Sequence, residues 1–445
     1  MGGRDGFFVA NRSGTTLLIT GSLLATAVGG SVTVGMTGLG FRQGLMGAWW
    51  LLVGSVGLLI LGLFFARKVR GVAVYTLPKL LEKQYDNRVS LAASVLIVIA
   101  WTGVVAGQIV AAGKILSILG IGSVTFWMIT FTAVLVIYAI LGGQLSIIRT
   151  DAFQAAILFV GIFVALVLVL SRVGGLDGLK VSLPLTYFSF PLSPEFNWKM
   201  LMSLLILVGG TYVVGPDMYT RLFCAREEKT AQLSAFLCAF LFIPLAFAIT
   251  LIGMGARVLY PGISADQAFP QVIDGVLSPG LSGLILAALV AALMSSADTC
   301  LLSQSVILTE DVVKRFYPSF NQGKTVLLAR LNIIILGLVA LGLALALKGV
   351  ISSLLFAYTV FTCGVVIPVI AGFYKERLKV TPQGALAALI GGGVIGLLGK
   401  IPGLDIPLKG DLPLLGFAVS AILLFGVSFI KRKTGSILLG LKGYK

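Results

Sequence analysis

Apolar residues in this chain gather into long runs, and the polar residues between them form short loops. Twelve runs have roughly the length that a helix needs to cross a bilayer, about 17 to 30 residues. They cover residues 14–40, 44–66, 89–117, 123–143, 150–171, 199–221, 230–256, 281–308, 326–347, 350–373, 383–399 and 413–430. Only helices and closed barrels satisfy their backbone in lipid, and these runs are too long for barrel strands. The pattern predicts an all-α polytopic membrane protein with about twelve transmembrane helices in a single domain, residues 1–445.

The composition agrees with this prediction and argues against other classes of protein. Of the 445 residues, 58% are hydrophobic and 11% are charged, and the mean hydropathy is +1.05. The chain has no histidine, which removes the commonest general base and the commonest metal ligand. No nucleophile has a base beside it, so we predict no enzymatic activity and no catalytic residues. The four cysteines are far apart and are expected to be buried free thiols.

The basic residues predict how the chain is oriented. The net charge is +16, but lysine and arginine lie at alternate helix ends rather than on one segment, which indicates the lipid bilayer and not nucleic acid as partner. With a cytoplasmic N-terminus, 24 of the 33 basic residues lie on the inner side and 8 on the outer side. The remaining one, Lys114, lies within a span and is expected to extend to the outer interface. This bias predicts that both termini are cytoplasmic.

Glycine pairs interrupt two predicted spans at corresponding positions. Residues 29–30 lie near the middle of the first span, and residues 209–210, followed by Gly215 and Pro216, lie in the sixth, five spans later. Such pairs in two five-span halves indicate the discontinuous helices of an inverted-repeat transporter. The spans then divide into a first repeat over 14–171, a second over 199–373 and two additional helices over 383–430.

A cluster of oxygen-bearing side chains interrupts the eighth predicted span. Ser295, Ser296 and Thr299 share one stripe of the helix at about 100° per residue, and Asp298 flanks that stripe. A carboxylate at bilayer depth costs roughly 2.5 to 3.5 kcal/mol on insertion scales, so it indicates a functional site. Close packing between helices is the alternative interpretation, and it is the commoner role of a single serine.

Two further polar residues each have two interpretations. Asp151, at the cytoplasmic end of the fifth span, is either an acid that complements the helix macrodipole or a second carboxylate that reaches the eighth span. Gln108, in the third span, either makes a hydrogen bond between helices or belongs to a substrate site.

Four segments of the chain resemble the sodium:solute symporter family, which includes sodium/proline, sodium/pantothenate, sodium/sialic acid and sodium/glucose carriers. They are AALMSSADTCLLSQSVILTEDVVKR at 291–315, GGQLSIIRTDAFQ at 142–154, GPDMYTRLFCAREEKTA at 215–231 and VYTLPKLLEKQY at 74–85. The resemblance covers essentially the whole chain and implies a leucine-transporter type of fold with an inverted five-helix repeat and broken helices 1 and 6. The extra N-terminal helix of many members is not expected here, which leaves ten core helices and two at the C-terminus.

The resemblance also implies ion sites between helices 1 and 8. One sodium ion would be bound by backbone carbonyls and hydroxyls of Ala25, Val28, Ala292, Ser295 and Ser296. A possible second cation site would comprise Asp151, Asp298 and Thr299. Other members often have a small polar residue where this chain has Asp298, and an added carboxylate would either strengthen sodium binding or favour protons.

The predicted function is a sodium-coupled secondary symporter that imports a small organic solute by alternating access, with co-transported sodium but no resident cofactor. We expect it in a prokaryotic-type plasma membrane. The substrate would lie between helices 1 and 6, lined by Ser31, Val32, Gln108, Thr211, Tyr212 and Tyr358. This weakly polar lining favours an amino acid or a monocarboxylate over a sugar. A proton-coupled carrier using Asp298 or Asp151, and a transporter-derived membrane sensor, remain as alternatives.

Overall fold

The computed structural model describes residues 9–141, 144–317, 322–399 and 412–442. These residues form helices joined by short connections, and no strand occurs among them. Within this described part, ten helical segments are long and apolar enough to cross a membrane, and two shorter apolar helices, Thr16–Ala27 and Pro382–Leu398, accompany them. The chain is therefore an integral, multi-pass membrane protein. The glycines at 142–143, which begin one of the four segments quoted above, lie outside the described residues.

The helices are labelled in chain order. Those of the first half are α1 (Thr16–Ala27), α2 (Thr37–Gln43), α3 (Trp49–Ile60), α4 (Ala66–Val72), α5 (Leu77–Gln84), α6 (Asn87–Leu116), α7 (Val124–Leu141), α8 (Gln144–Val173) and α9 (Gly175–Ser182). A π-helical turn over Ser31–Met36 precedes α2, and another over Leu61–Phe65 joins α3 to α4. Asp86 begins the long helix α6, because its carboxylate accepts the N–H groups of Arg88 and Val89.

The second half continues with more helices and three further π-helical turns. The helices are α10 (Trp198–Leu204), α11 (Gly210–Val214), α12 (Pro216–Cys224), α13 (Glu228–Leu259), α14 (Ala268–Val276), α15 (Pro279–Val306), α16 (Lys314–Phe316), α17 (Gln322–Leu347), α18 (Val350–Phe361), α19 (Ile367–Gly372), α20 (Lys375–Leu378), α21 (Pro382–Leu398) and α22 (Leu412–Lys442). The π-helical turns cover Leu205–Gly209, Ile307–Val313 and Thr362–Val366.

Two of the long apolar segments leave helical geometry near their middle. In the first, α1 ends at Ala27, and Val28 has φ −82° and ψ 46° before helical structure resumes at Ser31. In the sixth predicted span the glycine pair 209–210 belongs to helical structure. The chain leaves the helix at Gly215, which with Pro216 also belonged to the predicted feature, and Gly215 has φ −56° and ψ 135°. The reason is Pro216, since proline disfavours the α conformation of the residue that precedes it.

Helix α6 lies at the centre of the bundle, where it packs against α15, α17 and α18. Its Trp101 is 1% exposed and meets Phe361 edge to face, with ring centroids 4.7 Å apart. At Gly103 an added Cβ would lie 2.9 Å from the carbonyl oxygen of Ser353, so the missing side chain allows α6 and α18 to approach closely. Outer helices instead expose large apolar side chains such as Ile137 and Leu338, as expected of surfaces that face lipid.

Candidate functional site

A cavity lies where the two interrupted segments meet α6, α15 and α18. It is lined by Thr26, Ala27, Ser31, Val104, Gln108, Thr211, Tyr212, Asp217, Met218, Ser296, Cys300, Leu354 and Tyr358. The wall includes five of the six predicted substrate residues, which are Ser31, Gln108, Thr211, Tyr212 and Tyr358. The sixth, Val32, is not on the wall and is fully buried in the apolar core.

Gln108 satisfies the backbone at the interruption of the first segment. Its Oε1 accepts the N–H of Gly30 at 2.7 Å, and the residue is 3% exposed. The two elements are very close at this point, because a Cβ on Gly30 would lie 2.3 Å from the Cβ of Ala111. The hydrogen bond between helices is therefore present, and the same side chain also lines the cavity.

The predicted sodium ligands lie beside the cavity, where the end of α1 meets α15. Ser296 Oγ lies 3.3 Å from the carbonyl oxygen of Ala25 and 3.3 Å from that of Thr26. Val28 and Ala292 are buried on the same two elements. This contact brings carbonyl and hydroxyl oxygens of two helices together without any charged group among them. Ser295 is directed differently, since its hydroxyl donates to Asp151 Oδ1.

Asp151 reaches across to two other helices instead of capping its own. Helix α8 begins at Gln144, so Asp151 lies about two turns inside it, and its side chain is fully buried. Its Oδ2 accepts the hydroxyl of Ser22 on α1 at 2.6 Å, and its Oδ1 accepts the hydroxyl of Ser295 on α15. The contact with Ser295 agrees with the interpretation of Asp151 as a second carboxylate that reaches the eighth span.

Arg221 completes this buried cluster, although the sequence analysis counted it among the charges of the inner surface. Its side chain is fully buried, and its Nη2 lies 3.3 Å from Asp151 Oδ2. The guanidinium also donates to Thr299 Oγ1 at 2.9 Å and to Ser22 Oγ at 3.2 Å. Its place in this cluster was not predicted, because arginine usually marks the end of an apolar run and its partner lies 70 residues away in sequence. Two of the three residues predicted for the second cation site, Asp151 and Thr299, thus contact a guanidinium.

Asp298, the third of those residues, lies close to the same cluster. It is 2% exposed, and its Oδ1 lies 3.3 Å from the Thr299 hydroxyl that accepts from Arg221. Two carboxylates and one guanidinium give Asp151, Asp298 and Arg221 a formal net charge of −1 when all three are ionised. Such a charge in a buried position favours a neighbouring cation or a proton.

Asp217 is a cavity residue that sequence reasoning missed. It lies in the first turn of α12, directly after Pro216, and it lines the cavity. Its Oδ1 is buried and has no hydrogen-bond partner among the described residues. The available signal was an acidic residue directly after a glycine and a proline within an apolar segment. Within that segment, residues 215–231, Asp217 had indicated only the family resemblance.

Lys114, which was expected to extend to the outer interface, has a partner that was not predicted. Its Nζ forms an ion pair with Asp266, and the two side chains are 18% and 24% exposed. Asp266 lies in the 3₁₀ turn Ala265–Gln267, so the pair connects the outer end of α6 to the connection before α14.

Known proteins resemble the chain over most of its length. A model of the sodium:solute symporter family matches residues 7–392. The chain is 25% identical to the sodium/glucose cotransporter 4 of Danio rerio, with 89% of this chain and 67% of that protein covered. It is also 25% identical to the sodium/glucose cotransporter of Vibrio parahaemolyticus, with 91% and 80% covered. A solved substrate-bound, outward-open structure of a Na⁺-coupled sialic acid symporter superimposes with a TM-score of 0.76 at 18% identity, covering 96% of this chain and 92% of that one.

Proposed function

The chain belongs to the sodium:solute symporter family, and on that premise we propose that it imports a small organic solute together with sodium by alternating access. The observation that carries this proposal is the position of Ser296. Its hydroxyl lies against the carbonyl groups at the end of α1, and the same residue lines the cavity. Carbonyls released by a helix interruption, together with hydroxyls, are suitable ligands for a desolvated monovalent cation.

We further propose twelve membrane crossings in two inverted repeats. The segment Ser31–Val72 has 42 residues, which is about twice the length that one crossing needs, so it would contain the end of the first crossing and all of the second. The other nine long segments would each cross once. Together with α1, which completes the first crossing, and α21, which forms the eleventh, this gives twelve crossings. Residues 14–171 and 199–373 would form the repeats, broken near Val28 and Gly215, and 383–430 the two additional helices. The bias of basic residues supports cytoplasmic termini in a prokaryotic-type plasma membrane.

Sodium would couple to transport by linking α1 to α15. An ion held by Ala25, Val28, Ala292, Ser295 and Ser296 binds both elements at once and stabilises the conformation in which they are close. Loss of the ion to the cytoplasm removes that stabilisation, and a ligand shifts such an equilibrium only by its differential affinity for the two states. Ser295 belongs to this set and also contacts Asp151, so the ion site and the buried cluster share one side chain.

At the second cation site, Arg221 already offsets the charge of Asp151, which leaves Asp298 as the carboxylate that a second cation would bind. Asp298 is also the observation that favours the alternative, a proton-coupled carrier on the same scaffold. Uptake that continues after sodium is replaced by potassium, and that collapses with the pH gradient, would indicate this alternative. The predicted substrate is an amino acid or a monocarboxylate, whereas the relatives named above are sodium/glucose cotransporters.

The sodium site can be tested by the thermal stability of the purified protein in sodium and in potassium. We expect Ser296→Ala to raise the sodium concentration for half-maximal stabilisation about tenfold, which corresponds to the loss of one ligand. Ser282→Ala is the matched control, because Ser282 is a buried serine near the start of the same helix. A sodium dependence in Ser296→Ala equal to that of the wild type would contradict the site.

A further inference from the structure

We propose that Asp217 makes the cavity selective for solutes that carry an ammonium group, such as amino acids and amines. The proposal rests on the transport function above and narrows its substrate class. It excludes plain monocarboxylates and uncharged sugars as the preferred solute.

The geometry of Asp217 provides the first reason. Asp217 lines the cavity, and its Oδ1 is buried without a hydrogen-bond partner among the described residues. A buried carboxylate oxygen that stays unpaired is costly, and hydrogen bonds from a charged donor are the strongest that it can accept. An ammonium group supplies up to three such donors together with the opposite charge.

The charges around the cavity provide the second reason. Among the described residues, no lysine or arginine lines the cavity. The nearby Arg221, one turn further along α12, donates to Ser22, Asp151 and Thr299. Asp151, Asp217 and Asp298 together with Arg221 carry a formal charge of −2 when all four are ionised. One bound sodium ion would leave −1, which a cationic amine neutralises, a zwitterionic amino acid leaves unchanged and a carboxylate solute increases.

The backbone at the two interruptions provides the third reason, because it offers an anionic solute little to bind. An anionic solute would use free N–H groups at a helix start. The N–H of Gly30 is bonded to Gln108. At the start of α12, Pro216 has no N–H group, and the carboxylate of Asp217 in the same turn would repel an anion. The interruptions therefore favour a cationic group over an anionic one.

Pairs of solutes that differ only in the ammonium group test the proposal. Suitable pairs are L-alanine and L-lactate, L-phenylalanine and L-3-phenyllactate, D-glucosamine and D-glucose, and ethanolamine and ethylene glycol. Thermal stability of the full-length protein is measured for each compound in sodium and in potassium. The ammonium member of at least one pair should stabilise the protein in sodium, and its partner should need at least about ten times the concentration.

Asp217→Asn and Asp217→Glu assign the preference to this residue. We expect Asp217→Asn to remove the preference, with at least about tenfold weaker stabilisation by the ammonium compound, while stabilisation by sodium alone remains. Asp217→Glu, which keeps the charge, should retain part of the preference. Asp177→Asn, which removes an exposed carboxylate from α9, is the control. If Asp217→Asn does not fold, the solute pairs measured on the wild type and on Asp217→Glu still test the preference for ammonium compounds.

The outcomes separate this proposal from the proposed function. Stabilisation only by sugars, hydroxy acids or carboxylates, or by no ammonium compound, would overturn the selectivity. An unchanged preference in Asp217→Asn would do the same. Identical results in sodium and in potassium for every compound would instead contradict sodium coupling and leave the ammonium preference to be judged on the pairs alone.

Discussion

Replacing Arg221 by methionine tests whether its guanidinium neutralises Asp151 inside the bundle. Both side chains are fully buried, and their charged atoms are 3.3 Å apart. Removing one partner of a buried ion pair leaves an uncompensated charge and costs about 3 to 5 kcal/mol. Arg221→Met should therefore lower the free energy of unfolding by about that amount. The double variant with Asp151→Asn, which removes both charges and keeps the volume, should recover most of the loss.

The measurement is a double-mutant cycle on the purified protein, unfolded by SDS in detergent micelles and followed by tryptophan fluorescence. We expect a coupling energy of at least about 2 kcal/mol between the two positions. Arg226→Met serves as the control, because Arg226 lies five residues further along and its side chain is 59% exposed. Additive effects of Arg221→Met and Asp151→Asn would refute the reasoning, since they would mean that neither charge compensates the other.

Three further predictions concern the elements around the cavity. Gln108→Leu leaves the N–H of Gly30 without its acceptor and should lower the free energy of unfolding by about 1 to 3 kcal/mol in the same assay. Gln108→Glu keeps an acceptor, so it should cost less if the lost hydrogen bond is the cause. Gly30→Ala places a Cβ 2.3 Å from that of Ala111, so it should cost about 1 to 3 kcal/mol, and failure of a second change, Ala111→Gly, to restore stability would contradict the packing explanation. Lys114→Met breaks a partly exposed ion pair with Asp266 and should lower the free energy of unfolding by less than about 1 kcal/mol. High salt should remove this difference from the wild type. A larger or salt-independent loss would show that the pair is not merely a surface contact.

The positions of the helices were largely predictable, because apolar runs of bilayer length leave few alternatives. The predicted run 230–256 corresponds to α13, Glu228–Leu259, and 350–373 corresponds to the segment Val350–Gly372. The family predicted from four short segments is confirmed by a match over residues 7–392. Such segments identify a family, so resemblance reached further than periodicity alone.

Contacts between distant segments were not predictable in the same way. The pairing of Arg221 with Asp151 depends on how α12 packs beside α8, and no local pattern contains that information. Of the two parts of the predicted feature in the sixth span, only Gly215 and Pro216 interrupt the helix, because glycine pairs are compatible with helix in lipid while proline constrains its preceding residue directly. Asp217 was not predicted as a cavity residue for a related reason, since its place beside the cavity follows from the same interruption.

Asp217 and Arg221, the two charged side chains of α12, connect the cavity to the buried cluster that contains Asp151 and Thr299. Asp217 and Arg221 are four residues apart, a spacing at which opposite charges on a helix ordinarily pair. Here Arg221 pairs with Asp151, and one oxygen of Asp217 remains without a partner among the described residues. A cationic solute bound at Asp217 would offset the attraction of that carboxylate for Arg221 and would thereby favour the contact that Arg221 already makes with Asp151. Solute and sodium should then be linked through α12, and linkage requires that each changes the affinity of the other by the same factor. A factor of one in equilibrium titrations, with sodium leaving the affinity for the solute unchanged, would exclude this coupling.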